Sequence, residues 1–404
     1  MIRRARSETV QTVLIRSAVT VRSKGGKRDR AALTAAASPS TSRRKLPVLA
    51  ESAPCLCFPL SITRRFNKSM TALSMPLFES KHQNPGFISL LCFDQGGCHE
   101  RSVGVESIAT QQPLSRDTIF DLASVSKQFT AFCLLLLEQE GRLSLSDPVS
   151  RFVPEVSGYS GQVTLQDLVY HVGGMPDFID IALSHGINFE DTLSAAGILD
   201  KLRRQTRPDF PAGTRFEYSN TGYFLLGTVI ERVSGVRYAD YARARIFTPL
   251  SMRDTFILDG MSQDKRVATG YAKGSGGVYT ASRNPWNSLG ASLVHSSAAD
   301  LMKWGENFLT AKVGGHAAIQ KMLTPLARIN ERGEAIAEHS AYCFGLSMDE
   351  DGEGVKFCHE GGTAGFSSYF VRSLQKGYTL AVLSNIEDYD VEQLADDLCA
   401  EYGL

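Results

Sequence analysis

Ser124-Val125-Ser126-Lys127 sets a serine hydroxyl and a lysine amine three residues apart. On a helix that spacing puts both on one face, within reach of each other. A serine is inert at its ordinary pKa and needs a base beside it. A lysine buried in apolar surroundings can shed its proton and act as that base. At a helix start, free backbone N–H groups also favour developing negative charge. The tetrapeptide alone is weak evidence, because a helix-capping serine gives the same letters. The same pattern starts at Ser42, Ser262 and Ser373. Ser42 lies in a basic tail, Ser262 in a polar loop and Ser373 in a turn between strand-like pieces. Ser124 alone opens a long apolar run.

Two later runs carry complementary chemistry. Tyr218-Ser219-Asn220 precedes a helical pattern. A phenol near a buried cation can pass a proton, and an amide two residues on can hold both the lysine and a substrate carbonyl. A packed tyrosine and a capping asparagine would look the same. The rival triplet from Ser282 to Asn284 sits in a loop beside Pro285 and Trp286 and ranks lower. His359-Glu360-Gly361-Gly362 follows a β-prone stretch. Glycines there let a substrate backbone approach an edge strand. His359 can hydrogen-bond a substrate carboxylate or orient the tyrosine; a plain turn histidine is the alternative. His171-Val172-Gly173 repeats the pattern but closes an apolar helix at Gly173-Gly174 and reads as structural. His359-Glu360 also begins like a zinc HExxH motif, but position 363 is Thr and there is no CxxC pair. No metal is expected.

The elements that must position these groups follow from periodicity. Gly86 to Phe93 reads as a strand, Asp94-Gln95-Gly96-Gly97 as a hairpin turn, and Ser102 to Ile108 as the return strand. Thr118 to Asp121 is short and β-prone. From Ser124 to about Glu140 the chain is apolar on more than one side, which predicts a buried central helix stopped by Gly141. Between 142 and 290 helices and loops dominate, with helices expected at Leu165 to Tyr170, Ala195 to Arg204, Tyr223 to Ser234 and Ala239 to Phe247. Ser297 to Phe308 is a further amphipathic helix. Strand-like pieces follow at Gly354 to Cys358, Ser367 to Arg372 and Tyr378 to Ser384, and Val391 to Tyr402 closes as a helix. Strands at both ends and helices between predict an α+β fold: a mostly antiparallel sheet built from both ends, with an inserted helical region.

Composition bounds the function. The 404 residues are 43% hydrophobic and 21% charged, ordinary for a globular enzyme. Lysines and arginines number 43, as do acids, but residues 1–70 hold 15 basic and 3 acidic residues. The remaining 28 basic and 40 acidic residues make residues 71–404 net negative, which argues against nucleic-acid or anionic-membrane binding. Residues 1–70 resemble a transit peptide or a disordered arm, or they precede a true start at Met70 or Met75. They show no secretory signal, so a cytoplasmic location is expected, with organellar targeting the alternative. No apolar run is long enough for a spanning helix. Among eight cysteines, Cys133 and Cys399 fall in helical patterns as core thiols, and Cys92 and Cys98 could meet across the hairpin. Mostly reduced thiols are expected.

The order and context of the three motifs resemble the serine β-lactamase and penicillin-binding protein superfamily, in its class C-like branch of esterases and D-aminopeptidases. Ala123 to Ala131 looks like that branch's nucleophile segment, and Gly141 to Val149 like the segment that follows. Leu168 to Asp177 is similar to its HTSGLPD-type loop, Phe210 to Gly235 to its second-motif region, and Pro249-Leu250-Ser251-Met252 to its PLGM turn. The resemblance covers roughly residues 85–400. It implies a β-lactamase/transpeptidase-like fold without a cofactor. It implies that Ser124 is acylated, that Lys127 and Tyr218 exchange its protons, and that Asn220 orients substrate and lysine. His359 occupies the place of the lysine of a KTG triplet, and the backbone N–H groups of Ser124 and Gly362 form the oxyanion hole. Losing that lysine removes a permanent cation for a β-lactam carboxylate. Glu360 adds an acid near the pocket, favouring a substrate amine. The resulting expectation is a serine hydrolase acting on a small ester, amide or lactam, carboxylesterase-like first. D-aminopeptidase or β-lactamase-type activity, or a catalytically silent binding protein, are the alternatives.

Overall fold

Alternation and β-branching at the two ends of the chain produce a single large sheet. In the computed structural model, residues 83–258, 267–326, 340–351 and 354–404 are described. The basic segment 1–70, Ser42 and Ser262 lie outside them. The strands are β1 (Phe87–Phe93), β2 (Cys98–Val103), β3 (Ile119–Asp121), β4 (Phe256–Ile257), β5 (Tyr271–Lys273), β6 (Tyr279–Ala281), β7 (Val294–Ser297), β8 (Ser340–Tyr342), β9 (Ser347–Asp351), β10 (Gly354–Thr363), β11 (Phe366–Ser373) and β12 (Tyr378–Ser384). Seven form one antiparallel sheet in the order β2-β1-β12-β11-β10-β9-β8. The N-terminal hairpin thus joins the C-terminal strands through β1 and β12, as expected of a sheet built from both ends. All seven residues of β12 are buried, because the sheet is covered on both faces.

The helices are α1 (Lys127–Gln139), α2 (Ser157–Ser160), α3 (Leu165–Val169), α4 (Phe178–Ser184), α5 (Ala195–Leu202), α6 (Asn220–Ser234), α7 (Tyr238–Ala242), α8 (Ala298–Thr310), α9 (Gly315–Met322) and α10 (Val391–Glu401). α10 covers one sheet face through Val391, Ala395 and Leu398, packed on Leu91, Val371, Leu380 and Val382. The other face meets the main core. There α1 is buried from Lys127 to Leu137, and Phe129 and Phe132 pack on Trp304 of α8. The stretch 142–290 carries six of the helices, but it also contributes the short strands β4, β5 and β6, which sequence periodicity did not separate from loops.

Two local expectations need correction. The return strand is Cys98–Val103 rather than 102–108, because the turn ends at Gly97 and the register pairs Cys92 with Cys98 and Phe87 with Val103. Antiparallel pairing sets those two cysteines directly opposite, 4.1 Å apart at Cα, and they form a disulfide. The expectation of mostly reduced thiols therefore fails at the hairpin, while Cys133, Cys358 and Cys399 keep their thiols. Among the described residues no helix is long and apolar enough to cross a membrane.

Candidate active site

The Ser124 segment is set by the turn before it. Asp121, at the end of β3, accepts the N–H of Ala123 at 2.8 Å, and Leu122 donates to Val294 O at 2.9 Å. Ala123 takes a left-handed conformation with φ 46°. The chain then enters a 3-10 turn at Ala123–Ser126 that runs straight into α1. Ser124 is partly exposed while its neighbours are buried, so its hydroxyl faces outward at the foot of a buried helix.

Lys127 lies one turn on, with its side chain wholly buried. Its amine contacts three acceptors: Ser124 Oγ at 3.0 Å, Asn220 Oδ1 at 3.0 Å and Ala291 O at 2.9 Å. The Ala291 carbonyl is held there by close packing of α6 on residues 289–291. A Cβ on Gly290 would come within 2.4 Å of Tyr223 O, and Gly290 itself is left-handed at φ 80°. Burial pulls the lysine down from 10.5 to about 7, against the charge of Asp177, which raises it.

Asn220 opens α6, whose N-cap Ser219 accepts Gly222 N–H at 3.3 Å. Tyr218, two residues earlier, shares a hydrogen bond with the Ser124 side chain. Its ring lies 4.9 Å from the Lys127 amine. Burial, the dominant influence, holds the phenol protonated well above its ordinary value. So the lysine, not the tyrosine, is poised to lose a proton near neutrality.

The third segment approaches along β10. β9 pairs with β10 only from Gly354 to Cys358, whereas β11 pairs with it from Phe357 to Thr363. Among the described residues, 359–363 therefore present a free edge beside Ser124. Close approach there requires Gly361: a Cβ on it would lie 2.3 Å from Leu122 O, 2.4 Å from Ser368 Oγ and 3.0 Å from Ser124 N. At Gly362 an added Cβ would meet nothing within 4 Å, so that position faces open space.

His359 is 5% exposed, and both its ring nitrogens are engaged. Nδ1 lies 2.5 Å from Glu360 O, a pure acceptor, so Nδ1 carries the proton. Nε2 then accepts the Tyr342 hydroxyl at 3.0 Å. Burial first, and the neighbouring Lys127 second, push this imidazole down to about 3. It is neutral at physiological pH and carries no cation into the site. Glu360, next along the strand, points to the opposite side of β10 and is exposed. It still acts on Tyr218, and its own carboxyl is pushed up to about 7 by desolvation and by Glu392.

Three supporting residues were not singled out from sequence as part of a site. His171 is left-handed at φ 58°, accepts Ser219 N–H at 3.0 Å through Nδ1, and stacks on Tyr218 with ring centroids 4.4 Å apart. Its own carbonyl accepts Glu217 N–H at 2.9 Å. Tyr342 packs against both His171 and His359. Asp177 accepts Asn220 N–H at 2.6 Å. The HTSGLPD-type loop thus grips the second motif at both ends; a His and an Asp flanking that loop were the available signal. The rival triplet is spent locally: Asn284 Oδ1 accepts Trp286 N–H, and Ser282 donates to Glu387. Ser373 of the last SxxK match, at the end of β11, donates to Val355 O. Among the described residues, no group of three or more His, Cys, Asp or Glu side chains could hold a metal ion.

Comparison with known proteins bears on the family and the fold. The beta-lactamase family model matches residues 78–402. A Bacillus subtilis penicillin-binding protein is 30% identical over 78% of this chain and 72% of its own length. The Flp protein of Staphylococcus aureus is 29% identical over 74% of this chain, which spans only 59% of that relative. Among solved structures, the octameric penicillin-binding protein homologue from Pyrococcus abyssi superposes with a TM-score of 0.69 at 26% identity, covering 80% of this chain and 74% of that one. A D-stereospecific amidohydrolase from Streptomyces sp. superposes with a TM-score of 0.63 at 25% identity, covering 75% and 90%. The fold is β-lactamase/transpeptidase-like, and the chain belongs to the beta-lactamase family of serine hydrolases.

Proposed function

We propose that this protein hydrolyses an uncharged carboxylic ester through an acyl-enzyme on Ser124. The observation that carries this is the set of three acceptors around the Lys127 amine. Asn220 Oδ1 and Ala291 O can only accept, so a neutral amine gives them its two N–H bonds. Its lone pair is left facing the Ser124 hydroxyl. With its proton affinity brought near neutrality, the lysine takes the serine proton as Oγ attacks the carbonyl carbon. The oxyanion is received by the N–H groups of Ser124 and Gly362, which Gly361 allows to converge. The protonated lysine, with the neutral Tyr218 phenol as relay, returns the proton to the departing alcohol. Water then attacks the acyl carbon, the same groups accept its proton, and Ser124 leaves with a proton restored. Asn220 holds the lysine and the substrate carbonyl, and His359 lines the wall.

The charge pattern supports the choice of substrate. His359 is neutral, Lys127 is near half neutral at pH 7, and Glu360 borders the free edge. His359, standing where the resemblance places a lysine, supplies no permanent cation for a substrate carboxylate, which disfavours β-lactams. A second reading is hydrolysis of a D-amino-acid amide. The likeness to a D-stereospecific amidohydrolase supports that reading.

Intact-mass spectrometry tests the proposal. The protein is mixed with p-nitrophenyl butyrate, a D-amino-acid amide and a penicillin in turn. A transient butyryl adduct on Ser124 with ester turnover is expected, and Ser124→Ala, folded by thermal melting, loses both. Turnover by folded Ser124→Ala at the wild-type rate refutes the nucleophile. Amide turnover without ester turnover selects the second reading.

A further inference from the structure

Asp177 ends the loop that grips the second motif, and its two carboxylate oxygens serve different helices. Oδ1 accepts the N–H of Ile179 at 2.9 Å and caps α4, its own helix. Oδ2 accepts the N–H of Asn220 at 2.6 Å, and the Thr221 N–H also bonds to this carboxylate. These are the first two amides of α6. Thr221 locks the junction from its side: its hydroxyl donates to Pro176 O at 2.8 Å and accepts Phe178 N–H at 2.7 Å. Two helix starts therefore meet on one acid. The Asn220 side chain leaves this junction toward Lys127, its Oδ1 3.0 Å from the amine, and Lys127 reaches Ser124.

We propose that Asp177 is a positioning residue of this active site: it fixes Asn220 through the α6 amides and supplies the counter-charge that Lys127 faces across that asparagine. The inference rests on the acyl-enzyme reading above. A carboxylate, unlike an amide or hydroxyl, satisfies several N–H donors at once; burial raises the proton affinity of Asp177, and the N–H bonds of Ile179, Asn220 and Thr221 act against that in favour of the anion. The groups around the lysine make its charge matter. The rings of Tyr218 and Tyr223 lie 4.9 and 5.7 Å from the amine, and the neutral His359 stands beyond. Of the groups acting on Lys127, Asp177 is the anion that favours its protonated form. Glu360 acts on Tyr218 instead. Removing the Asp177 charge makes the lysine release its proton more readily.

The test is the pH dependence of kcat/KM for Asp177→Asn in the full-length protein, with p-nitrophenyl butyrate. The acid limb is expected to move to lower pH by at least half a unit, while the plateau falls tenfold or more as Asn220 loses its anchor. A purely structural cap would lower melting temperature and plateau but leave the limb in place, and that result overturns the proposal. Asp177→Ser keeps a helix cap without the charge; it substitutes if Asp177→Asn melts below assay temperature, with the same displacement expected. Acylation of Ser124 in the wild type is measured first. Its absence refutes the acyl-enzyme reading itself, whereas its presence with an unmoved limb refutes only the role of Asp177.

Discussion

Adding one methyl group at Gly361 tests how closely the third segment must approach the nucleophile. Ordinary contact begins at about 3.4 Å, yet a Cβ here would lie 2.3 Å from Leu122 O and 2.4 Å from Ser368 Oγ. Ser368 cannot simply swing away, because its hydroxyl donates to that same Leu122 carbonyl at 2.8 Å. Relief requires the free end of β10 to retreat by about 1 Å from the turn carrying Ser124. A displacement of that size costs on the order of 100-fold in a positioned reaction, and losing an oxyanion donor costs about 100- to 1000-fold. Gly361→Ala should therefore lower kcat on p-nitrophenyl butyrate at least 100-fold and raise KM little. Overpacking should cost about 1–3 kcal/mol of stability, read as a lower but still cooperative melt. Gly362→Ala is the control: its methyl meets nothing within 4 Å, so it should melt like the wild type. A Gly361→Ala enzyme with kcat within threefold of wild type would show that β10 does not form part of the oxyanion site.

The wild-type enzyme should lose activity in acid. With Lys127 near 7 and acting as the base, kcat/KM at pH 5 should be about 100-fold below its plateau; a flat profile from pH 5 to 8 excludes the lysine as base. Because folding lowers the lysine's proton affinity, the unfolded chain holds the proton more tightly between about pH 7 and 10.5, so this group makes the fold more stable as pH rises through that window. Wild type should accordingly gain stability relative to Lys127→Met as pH is raised from 7 to 10, and a difference constant with pH contradicts the buried neutral amine. His359→Lys puts a cation where the imidazole is neutral, and penicillin acylation of Ser124 should rise about 10- to 100-fold. An unchanged acylation rate would mean that the missing cation is not what disfavours β-lactams.

Local pattern was enough for the elements with a strong period and clear stops. Tyr378 to Ser384 is the strand its alternation predicted, and Val391 begins the last helix as expected. The helix after the second motif starts at Asn220 rather than Tyr223, because Ser219 caps it and adds a turn that apolar periodicity does not register. The hairpin strand was displaced because alternation alone leaves register open, and the Cys92–Cys98 pairing settles it. Glu360 looked like a pocket residue from adjacency, yet strand alternation turns it to the other side of β10 from His359.

The sequence by itself determined the α+β class and the buried central helix, and it singled out Ser124, Lys127, Tyr218, Asn220, His359, Gly361 and Gly362 as candidates, since residue type and short spacing are local properties. Tertiary structure decided what those residues can do. The third acceptor on Lys127 is a backbone carbonyl 164 residues away, which no residue type announces. His359 is neutral because folding buries it beside Lys127, and Asp177 matters because folding lays it against amides 43 residues on. Proton affinities depend on burial and on charges brought together through space, so they are properties of the packed chain rather than of the motif.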